Sequence, residues 1–453
     1  VNHGSLSDRI MSRYGDTPEG MVESCMEFLR ICVAENFTDV VISIKASNTV
    51  VMVKTVRLLV DVMEKEGMTF PLHLGVTEAG DGEDGRIKSA LGIGALLSDG
   101  LGDTIRVSLS EAPEAEIPVA RKLVDYVLLR QDHPYIPGLE APEFNYLSPE
   151  RRKTKAVRNI GGEHVPVVIA DRMDGKTEVN PQFTPDYIYA GRALPEQREE
   201  GVEYILDADV WQGEAGTWPA FNHAQLPLMG ECDAALKFLF IPYMAQTDEV
   251  IACLKYHPEV VIISQSNHPN RLGEHRALVH QLMTEGLQNP VVFFQHYAED
   301  DAENLQIKSA ADMGALIFDG LCDGIFLFNQ GSLSHAVVDA TAFGILQAGR
   351  TRTSKTEYIS CPGCGRTLYD LEKTIARIKA ATSHLKGLKI GIMGCIVNGP
   401  GEMADADYGY VGAGRGKISL YKGKVCVEKN IPEEEAVERL LEFIRTDREE
   451  NQQ

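Results

Sequence analysis

The sequence has few cysteines, no long apolar run and a deficit of basic residues. Nine cysteines among 453 residues are too sparse for a disulfide scaffold, and their odd number fits a reducing compartment in which thiols stay free or bind metal. No run approaches the ~18–20 apolar residues that cross a bilayer, which excludes a transmembrane role. Lys and Arg number 44 against 66 Asp and Glu, a formal net charge of −22, so neither a nucleic acid nor an anionic membrane surface is expected as a partner.

The rest of the composition is that of a globular protein with several domains. Hydrophobic residues make up 44% of the chain and charged residues 24%. At roughly 100–200 residues per domain, the length allows about two to four domains. The first residue is Val1, and the opening segment has the features of neither a signal peptide nor a transit peptide. We therefore expect the chain to begin partway through a larger protein.

Strand patterns alternate with helical patterns along the first 115 residues. Residues 39–45, 70–76 and 104–109 are apolar and β-branched, and residues 50–67 and 87–99 between them have helical periodicity. This alternation predicts βα units and a parallel sheet. Polar residues cluster at the C-terminal end of each predicted strand, where α/β folds place their chemistry.

A seventeen-residue pattern in this segment returns about 220 residues later. Residues 87–103 and 307–323 match at eleven of seventeen positions, and the flanking strands can be paired as well. We interpret the two blocks as equivalent parts of two barrel-like α/β domains. Their strand ends differ: Lys45 becomes Ser264, Glu78 becomes Tyr297, Arg106 becomes Phe326 and Ser108 becomes Phe328. Because the second copy lacks the charged and phosphate-binding groups, we predict that it is a scaffold or spacer.

The strongest chemical signal is a cysteine pair followed by a third cysteine and a glutamate. Cys361 and Cys364 form a C-x-x-C pair, and Cys395 and Glu402 follow. The pair places two thiolates within reach of one metal centre, and Cys395 arrives from a following strand and turn. Three cysteines are one fewer than a [4Fe–4S] cluster normally takes, and Glu402 is placed to supply an exchangeable fourth ligand. Structural zinc and a redox C-x-x-C pair are alternatives, although only one zinc knuckle is present and a redox pair leaves Cys395 unexplained.

Eight polar residues associated with the predicted strands of the first domain form a second candidate site. They are Asn2, His3, Lys45, Ser47, Asn48, Glu78, Arg106 and Ser108. Basic groups that converge with hydroxyls and amides on one rim suit a phosphate or diphosphate. A carboxylate among them suits proton transfer.

Five longer motifs contain most of these residues. They are NHGSLSDR at 2–9, LHLGVTEAG at 72–80, GDTIRVSL at 102–109, CPGCGR at 361–366 and GCIVNGPGE at 394–402. Together they closely resemble the 4-hydroxy-3-methylbut-2-enyl diphosphate synthase family, the iron–sulfur enzymes of the non-mevalonate isoprenoid pathway. The resemblance is strong over residues 1–115 and 350–453. The intervening segment resembles the extra domain of the large, three-domain form found in plants and some bacteria.

The resemblance implies a chain of α/β and α+β domains. Residues 1–115 would be the C-terminal part of a TIM-barrel substrate domain, residues 116–350 an inserted barrel-like scaffold domain, and residues 351–453 a [4Fe–4S] cluster domain similar to sulfite reductase. The implied reaction is the two-electron reductive ring opening of 2-C-methyl-D-erythritol 2,4-cyclodiphosphate, with loss of a hydroxyl as water. A ferredoxin or flavodoxin would donate the electrons. The family implies a homodimer in the bacterial cytoplasm, or in the plastid stroma for a plant protein.

Residue roles follow from the same resemblance. Cys361, Cys364, Cys395 and Glu402 would ligate the cluster, Glu402 with a catalytic role as well. Asn2, Lys45, Arg106 and Ser108 would hold the diphosphate, and Ser47 and Asn48 belong to the same substrate-binding set. Glu78 would deliver a proton, and Asn398 would lie beside the substrate near the cluster.

The chain departs from the family pattern at its start. The family's barrel begins with further βα units that carry basic diphosphate ligands, and only about its last three strands lie within residues 1–115. We therefore expect a fragment whose partial barrel would expose unpaired strand edges. A non-catalytic α/β scaffold with a structural zinc site is the alternative function. Sulfite or nitrite reduction is disfavoured because the chain lacks the extra cysteine motif.

Overall fold

The chain forms two compact units in a computed structural model that describes residues 1–176, 178–367, 369–397, 399–403 and 405–450, with only the backbone described at residue 450. The first unit combines Val1–Val124 with Thr353–Gln453, and the second is the continuous segment Asp125–Arg352. No helix among the described residues is both long and apolar enough to cross a bilayer.

A three-stranded parallel sheet with flanking helices forms the N-terminal part of the first unit. In chain order, its elements are α1 (Asp8–Tyr14), α2 (Pro18–Ala34), β1 (Ile42–Ala46), α3 (Thr49–Lys65), β2 (Leu72–Val76), α4 (Gly82–Ser98) and β3 (Thr104–Arg106), followed by α5 (Glu116–Leu128), whose last four residues belong to the second unit. The sheet order is β1-β2-β3. The predicted alternation of strands and helices is confirmed, although the first strand begins three residues later and the third ends three residues earlier than the apolar pattern indicated.

The second unit contains a closed barrel of eight parallel strands. The strands are β4 (Val167–Asp171), β5 (Tyr187–Gly191), β6 (Glu203–Asp207), β7 (Thr217–Asn222), β8 (Lys237–Pro242), β9 (Val260–Gln265), β10 (Val291–Tyr297) and β11 (Gly324–Asn329). The helices are α6 (Leu226–Glu231), α7 (Asp248–Tyr256), α8 (Arg271–Thr284), α9 (Ala302–Phe318) and α10 (His335–Ala348). Strands β4 to β11 pair in chain order, and β11 closes the barrel on β4. The predicted barrel-like insertion is therefore confirmed as a complete barrel.

Strand register supports the internal duplication. In the first unit, Gly75 of β2 lies opposite Arg106 of β3. In the barrel, Phe294 of β10 lies opposite Phe326 of β11. The sequence alignment pairs Gly75 with Phe294 and Arg106 with Phe326, so the two copies share their register as well as their residue pattern.

A mixed five-stranded sheet forms the C-terminal part of the first unit. Its elements are β12 (Glu357–Ser360), α11 (Leu371–Thr382), β13 (Lys389–Met393), α12 (Gly399–Glu402), β14 (Tyr408–Gly414), β15 (Lys417–Lys422), β16 (Val425–Pro432) and α13 (Glu433–Glu450). Strands β12, β13 and β14 run parallel, and β14, β15 and β16 antiparallel. Helices α11 and α13 pack on the sheet through a buried apolar cluster.

One buried ion pair in the barrel unit connects β4 to α10. Arg172 directly follows β4, and its Nη2 atom lies 2.5 Å from the Asp339 carboxylate on α10. Both side chains are 2% exposed. Burial raises the pKa of Asp339, and the guanidinium opposes that rise. An exposed pair in the same unit offers a comparison, since Arg192 lies 2.8 Å from Asp209 with side chains 65% and 46% exposed.

Replacing Arg172 with methionine should destabilise the barrel unit by ~3–5 kcal/mol, because the Asp339 carboxylate then stays buried without its guanidinium partner. The Arg192→Met substitution should lower the free energy of unfolding by at most about 1 kcal/mol, because exposed ion pairs are solvated and screened by salt. Urea unfolding followed by tryptophan fluorescence measures both, because the chain's two tryptophans, Trp211 and Trp218, lie in this unit. Equal losses in the two variants would contradict the assignment of Arg172–Asp339 as a stability-determining pair.

Candidate functional site

A cavity of about 260 Å³ in the first unit brings most of the predicted site residues together. It lies between the C-terminal ends of β1, β2 and β3 and the turns that follow β12 and β13. Its lining residues are Asn2, Lys45, Thr77, Glu78, Arg106, Cys361, Pro362, Gly363, Cys364, Arg366, Thr367, Met393, Gly394, Cys395, Gly399 and Glu402. The candidate metal ligands and the candidate anion-binding residues therefore share one cavity, although up to about 400 positions separate them in the sequence.

Two basic side chains form one rim of the cavity. Lys45 and Arg106 come from the outer strands β1 and β3, with Gly75 of β2 between them in register. Burial lowers the pKa of Lys45, and the charge of Arg106 lowers it further. Two cations held close together are mutually unfavourable, so an anionic ligand between them relieves the repulsion. This rim suits a phosphate or diphosphate group.

Asn2 reaches the same rim through backbone pairing. It forms a parallel bridge with Lys45, and the His3 amide donates to the Lys45 carbonyl oxygen at 2.9 Å. Residues 1–3 therefore lie beside β1 as an additional extended segment. This pairing carries Asn2 to the cavity, where its amide is placed beside the two cations.

Glu78 is a buried acid with a strained backbone. It follows β2, adopts a φ of 52° and is only 5% exposed. Burial raises the pKa of Glu78 to about 8, and the nearby Glu402 carboxylate acts in the same direction. Left-handed backbone at a residue other than glycine is costly and concentrates at functional sites. Glu78 therefore holds a proton at neutral pH in a position that opens into the cavity.

Two of the three cysteine side chains, Cys361 and Cys364, accept backbone hydrogen bonds at sulfur. The Gly394 amide donates to Cys361 Sγ at 3.2 Å, and the Arg366 amide donates to Cys364 Sγ at 3.4 Å. Burial raises the pKa of the Cys361 thiol, whereas the bonds from Arg366 lower the pKa of the exposed Cys364 thiol. All nine cysteines are free thiols. Amide groups aimed at sulfur stabilise thiolates, which are the metal-binding form of cysteine.

The donor set fits a cluster better than it fits one ion. Among the described residues, no three His, Cys, Asp or Glu side chains converge closely enough to hold a single metal ion. In a [4Fe–4S] cluster each cysteine binds a different iron atom, so its ligands surround a larger volume. Three soft thiols with one carboxylate around a single cavity meet that requirement.

The thiol-bearing turn is positioned by contacts with the strand ends of the sheet. Ser360, the last residue of β12, forms a parallel bridge with Ala79, the residue after Glu78. The Ser110 hydroxyl lies 2.7 Å from the Ser360 hydroxyl and 3.1 Å from the Cys361 carbonyl oxygen. On α4, Lys88 Nζ lies 2.9 Å from the buried Glu357 carboxylate. These contacts hold Cys361 directly beside the acid at the end of β2.

Three predicted substrate-binding residues do not line the cavity. Ser47 is buried, and its hydroxyl donates to the Glu402 carbonyl oxygen at 3.4 Å. Asn48 caps α3 through the Val50 and Val51 amides, and its Nδ2 atom donates to Asp405 at 3.2 Å. Ser108 is 1% exposed, and within the described part of the chain its hydroxyl has no hydrogen-bond partner.

The remaining discrepancies concern residues that sequence reasoning omitted or that the structure does not describe. Asn398, predicted beside the substrate, lies outside the described residues. Thr77, Arg366 and Thr367 line the cavity but were not predicted. Arg366 and Thr367 directly follow the cysteine pair, so their position in that turn was a usable signal.

A cationic rim that faces three thiols and two carboxylates is typical of an α/β metallo-oxidoreductase acting on an anionic small molecule. Comparison with known proteins agrees. Residues 1–121 match the family model described as the GcpE TIM-barrel domain, and residues 357–446 match that of the GcpE protein C-terminal domain.

Several curated bacterial proteins are similar to nearly the whole chain, and each is named 4-hydroxy-3-methylbut-2-en-1-yl diphosphate synthase (flavodoxin). The protein from Bacteroides thetaiotaomicron is 95% identical over 450 residues, which cover 99% of this chain and 73% of that protein. The protein from Bacteroides fragilis strain ATCC 25285 is 84% identical, over 98% of this chain and 71% of that protein. The protein from Phocaeicola vulgatus is 79% identical, over 98% of this chain and 73% of that protein.

The chain belongs to the 4-hydroxy-3-methylbut-2-en-1-yl diphosphate synthase (flavodoxin) family. The family resemblance predicted from the five motifs is therefore confirmed, and with it the enzyme class and the combination of barrel and α+β domains.

The raised pKa of Glu78 predicts a pH-dependent difference in stability between the metal-free wild type and its Glu78→Gln variant. Its folded-state pKa of about 8 exceeds the ordinary 4.5. As pH rises, Glu78 therefore loses its proton in the unfolded chain at a lower pH than in the folded chain. The favourable contribution of Glu78 to the free energy of unfolding is fully present below pH 4.5 and is lost as pH rises through 8. Between pH 5 and 9 the wild type should lose on the order of 3–5 kcal/mol relative to Glu78→Gln.

Urea unfolding of both proteins at the two pH values measures this loss. Glu64→Gln removes an exposed carboxylate on α3 and controls for the change of net charge. A difference between wild type and Glu78→Gln that does not change with pH would contradict the assignment of Glu78 as a buried acid.

Proposed function

We propose that this chain converts 2-C-methyl-D-erythritol 2,4-cyclodiphosphate to 4-hydroxy-3-methylbut-2-enyl diphosphate in isoprenoid biosynthesis. The reaction takes up two electrons and two protons, opens the ring and releases the hydroxyl as water. One observation carries the proposal beyond family membership: a single cavity joins a two-cation rim to three thiols and a protonated acid. An anionic substrate that must be reduced and protonated needs these groups together.

The proposed cofactor is a [4Fe–4S] cluster held by Cys361, Cys364, Cys395 and Glu402. When bound, the cluster would supply electrons at bonding distance and a Lewis-acidic iron for the departing oxygen. The chain's own part is to orient the thiols by amide hydrogen bonds and to offer a carboxylate that exchanges more readily than a thiolate. The alternative of a structural zinc site leaves the cationic rim without a purpose.

Lys45, Arg106 and Asn2 are the proposed diphosphate ligands. Their strand ends are held rigidly by the parallel sheet, so binding the diphosphate also orients the carbon skeleton toward the thiols. Ser108 remains in the proposed set because its buried hydroxyl lacks a partner within the described residues. Ser47 and Asn48 would support the site from its edge, since their present hydrogen bonds reach the backbone of Glu402 and the side chain of Asp405.

Proton delivery is assigned to Glu78. A carboxylic acid with a pKa of about 8 is protonated at neutral pH and can still release its proton readily. It opens into the cavity with Lys45 and Glu402, so the proton is held between the substrate rim and the thiols. Asn398 is proposed to lie beside the substrate, as the family resemblance implies.

The remaining proposals concern domains, partners and location. The relatives' name specifies flavodoxin, which supports a flavodoxin as electron donor, with ferredoxin as the other possibility. Residues 1–115 would bind substrate, 351–453 would hold the cluster, and 116–350 would be inserted between them. The relatives are bacterial, which supports the bacterial cytoplasm over a plastid. A homodimer is proposed from the family resemblance alone.

Replacing Arg106 with methionine should weaken binding of the cyclic diphosphate by about 10–100-fold, because a charge-assisted hydrogen bond contributes ~1.5–3 kcal/mol. Calorimetric titration of the chain with the substrate measures the affinity directly and does not depend on turnover. Arg121→Met, which removes an exposed arginine from α5, is the matched control and should bind normally. Normal affinity in Arg106→Met would remove this residue from the proposed site.

The cluster ligands can be tested by metal content after anaerobic reconstitution with iron and sulfide. Cys395→Ser should lose most of the bound iron, whereas Glu402→Ala should retain most of it, because three thiolates still hold the cluster. Cys426→Ser changes a half-buried cysteine in β16 and should match the wild type. Stoichiometric zinc in a colourless wild-type protein would support the scaffold alternative instead.

A further inference from the structure

We propose that the C-terminal mouth of the inserted barrel is a binding site for a small organic cation that carries an apolar or aromatic group. A cavity of about 530 Å³ opens there, within the range of small-molecule sites. Active sites of parallel barrels lie at this end, where the strands' carboxyl ends meet. The proposed reaction does not use this cavity, because all the proposed catalytic and substrate-binding residues belong to the other unit.

Aromatic rings form the walls of the barrel-mouth cavity. Tyr189, Phe240, Phe294 and Phe326 come from four different strands, and consecutive rings in this series have centroids 5.0–6.3 Å apart. A Tyr189–Phe326 contact at 5.8 Å closes the ring of four. Nearer the mouth, Phe328 stacks on Phe294 at 5.8 Å. The faces of such rings carry partial negative charge and attract cations.

The rim adds formal negative charge above these rings. Asp207 ends β6, and its Oδ1 atom accepts a hydrogen bond from the Tyr189 hydroxyl at 2.6 Å. Asp209 lies two residues further along, and the exposed Arg192 lies 2.8 Å from Asp209 and 3.9 Å from Asp207. These are the charged residues that line the cavity, so carboxylates outnumber cations by two to one. An exposed ion pair contributes little, and Arg192 can move aside at small cost.

Comparison of the two copies of the duplicated pattern indicates the same charge preference. In the first unit, Arg106 ends β3 and lines the anion site, and Ser108 follows two residues later. The aligned residues of the barrel are Phe326 and Phe328, which line the aromatic cavity. Strand register places Gln265, rather than the Ser264 expected from the sequence, at the position of Lys45, so the second copy has neither cation of the first. Its cavity is therefore unsuited to a diphosphate and suited to an apolar group that carries positive charge.

Three probes of similar size and different charge test the assignment on the intact chain. They are benzyltrimethylammonium, benzyl alcohol and benzylphosphonate. Calorimetry gives affinity and stoichiometry. Tryptophan fluorescence locates the event, because both tryptophans are in this unit and the Trp211 amide donates to the Asp207 carbonyl oxygen at 3.1 Å. We expect the ammonium probe to bind one per chain, about tenfold or more tightly than the alcohol, and the phosphonate most weakly.

Variants separate the contributions of charge and aromatic wall. Asp207→Asn keeps an acceptor for Tyr189, and Asp209→Asn changes a half-exposed residue, so folding is not at stake. Each variant should bind the ammonium probe about three- to tenfold more weakly than the wild type and should bind benzyl alcohol with unchanged affinity. Phe328→Ser introduces the residue type that the first copy has at the aligned position, Ser108. This variant should bind both the ammonium probe and the alcohol more weakly. Asp233→Asn, an exposed residue in the loop before β8 at the opposite end of the barrel, is the matched control.

Three results would overturn the proposal. The first is the absence of saturable binding of the ammonium probe to the wild type. The second is a phosphonate affinity, measured by tryptophan fluorescence, that equals or exceeds that of the ammonium probe, and the third is an ammonium affinity unchanged in both aspartate variants. The fluorescence readout decides these outcomes because both tryptophans lie in the barrel unit, whereas calorimetry also registers phosphonate bound at the cationic rim of the other unit. None of these measurements depends on iron, flavodoxin or turnover.

Discussion

The candidate site depends on one contact, the seating of the β12 turn on the strand ends of the parallel sheet. Ser110 and Ser360 meet there although they lie 250 positions apart in the sequence. The buried pair Lys88–Glu357 lies on the same contact, and a buried ion pair tolerates few alternative arrangements because each charge must keep its partner. Without this seating, the cationic rim and the thiols would belong to separate surfaces.

Features that depend on local sequence could be predicted, and features that depend on distant packing could not. The alternation of strands and helices and the C-x-x-C turn are local patterns, so they could be predicted from the sequence. Strand β14 is not visible as a local pattern, because its glycines serve close packing: a Cβ at Gly409 would collide with Met403, and one at Gly412 would collide with the Gly394 carbonyl oxygen. The role of Asn48 could not be predicted from the sequence either. A side-chain amide that caps a helix and one that binds phosphate look the same in a sequence.

The inserted barrel shows how one backbone pattern can carry two chemistries. Both copies keep the same strand register, and their helix and following turn match at eleven of seventeen positions, as similar packing requires. The strand-end residues are free of that requirement, because they face a cavity rather than the helices. The prediction of a scaffold or spacer followed from the loss of charged groups. The barrel keeps a cavity at its C-terminal mouth, which aromatic rings line.

The charges of the catalytic cavity also bear on when Glu78 releases its proton. Lys45 and Arg106 favour its ionisation, whereas burial and Glu402 oppose it and prevail. A diphosphate on the rim would neutralise the two cations and add negative charge, which strengthens the hold of Glu78 on its proton. The acid would therefore be most reliably protonated when the substrate is bound. Such an acid would release its proton only when negative charge develops close to it, as expected of the proton donor that we propose.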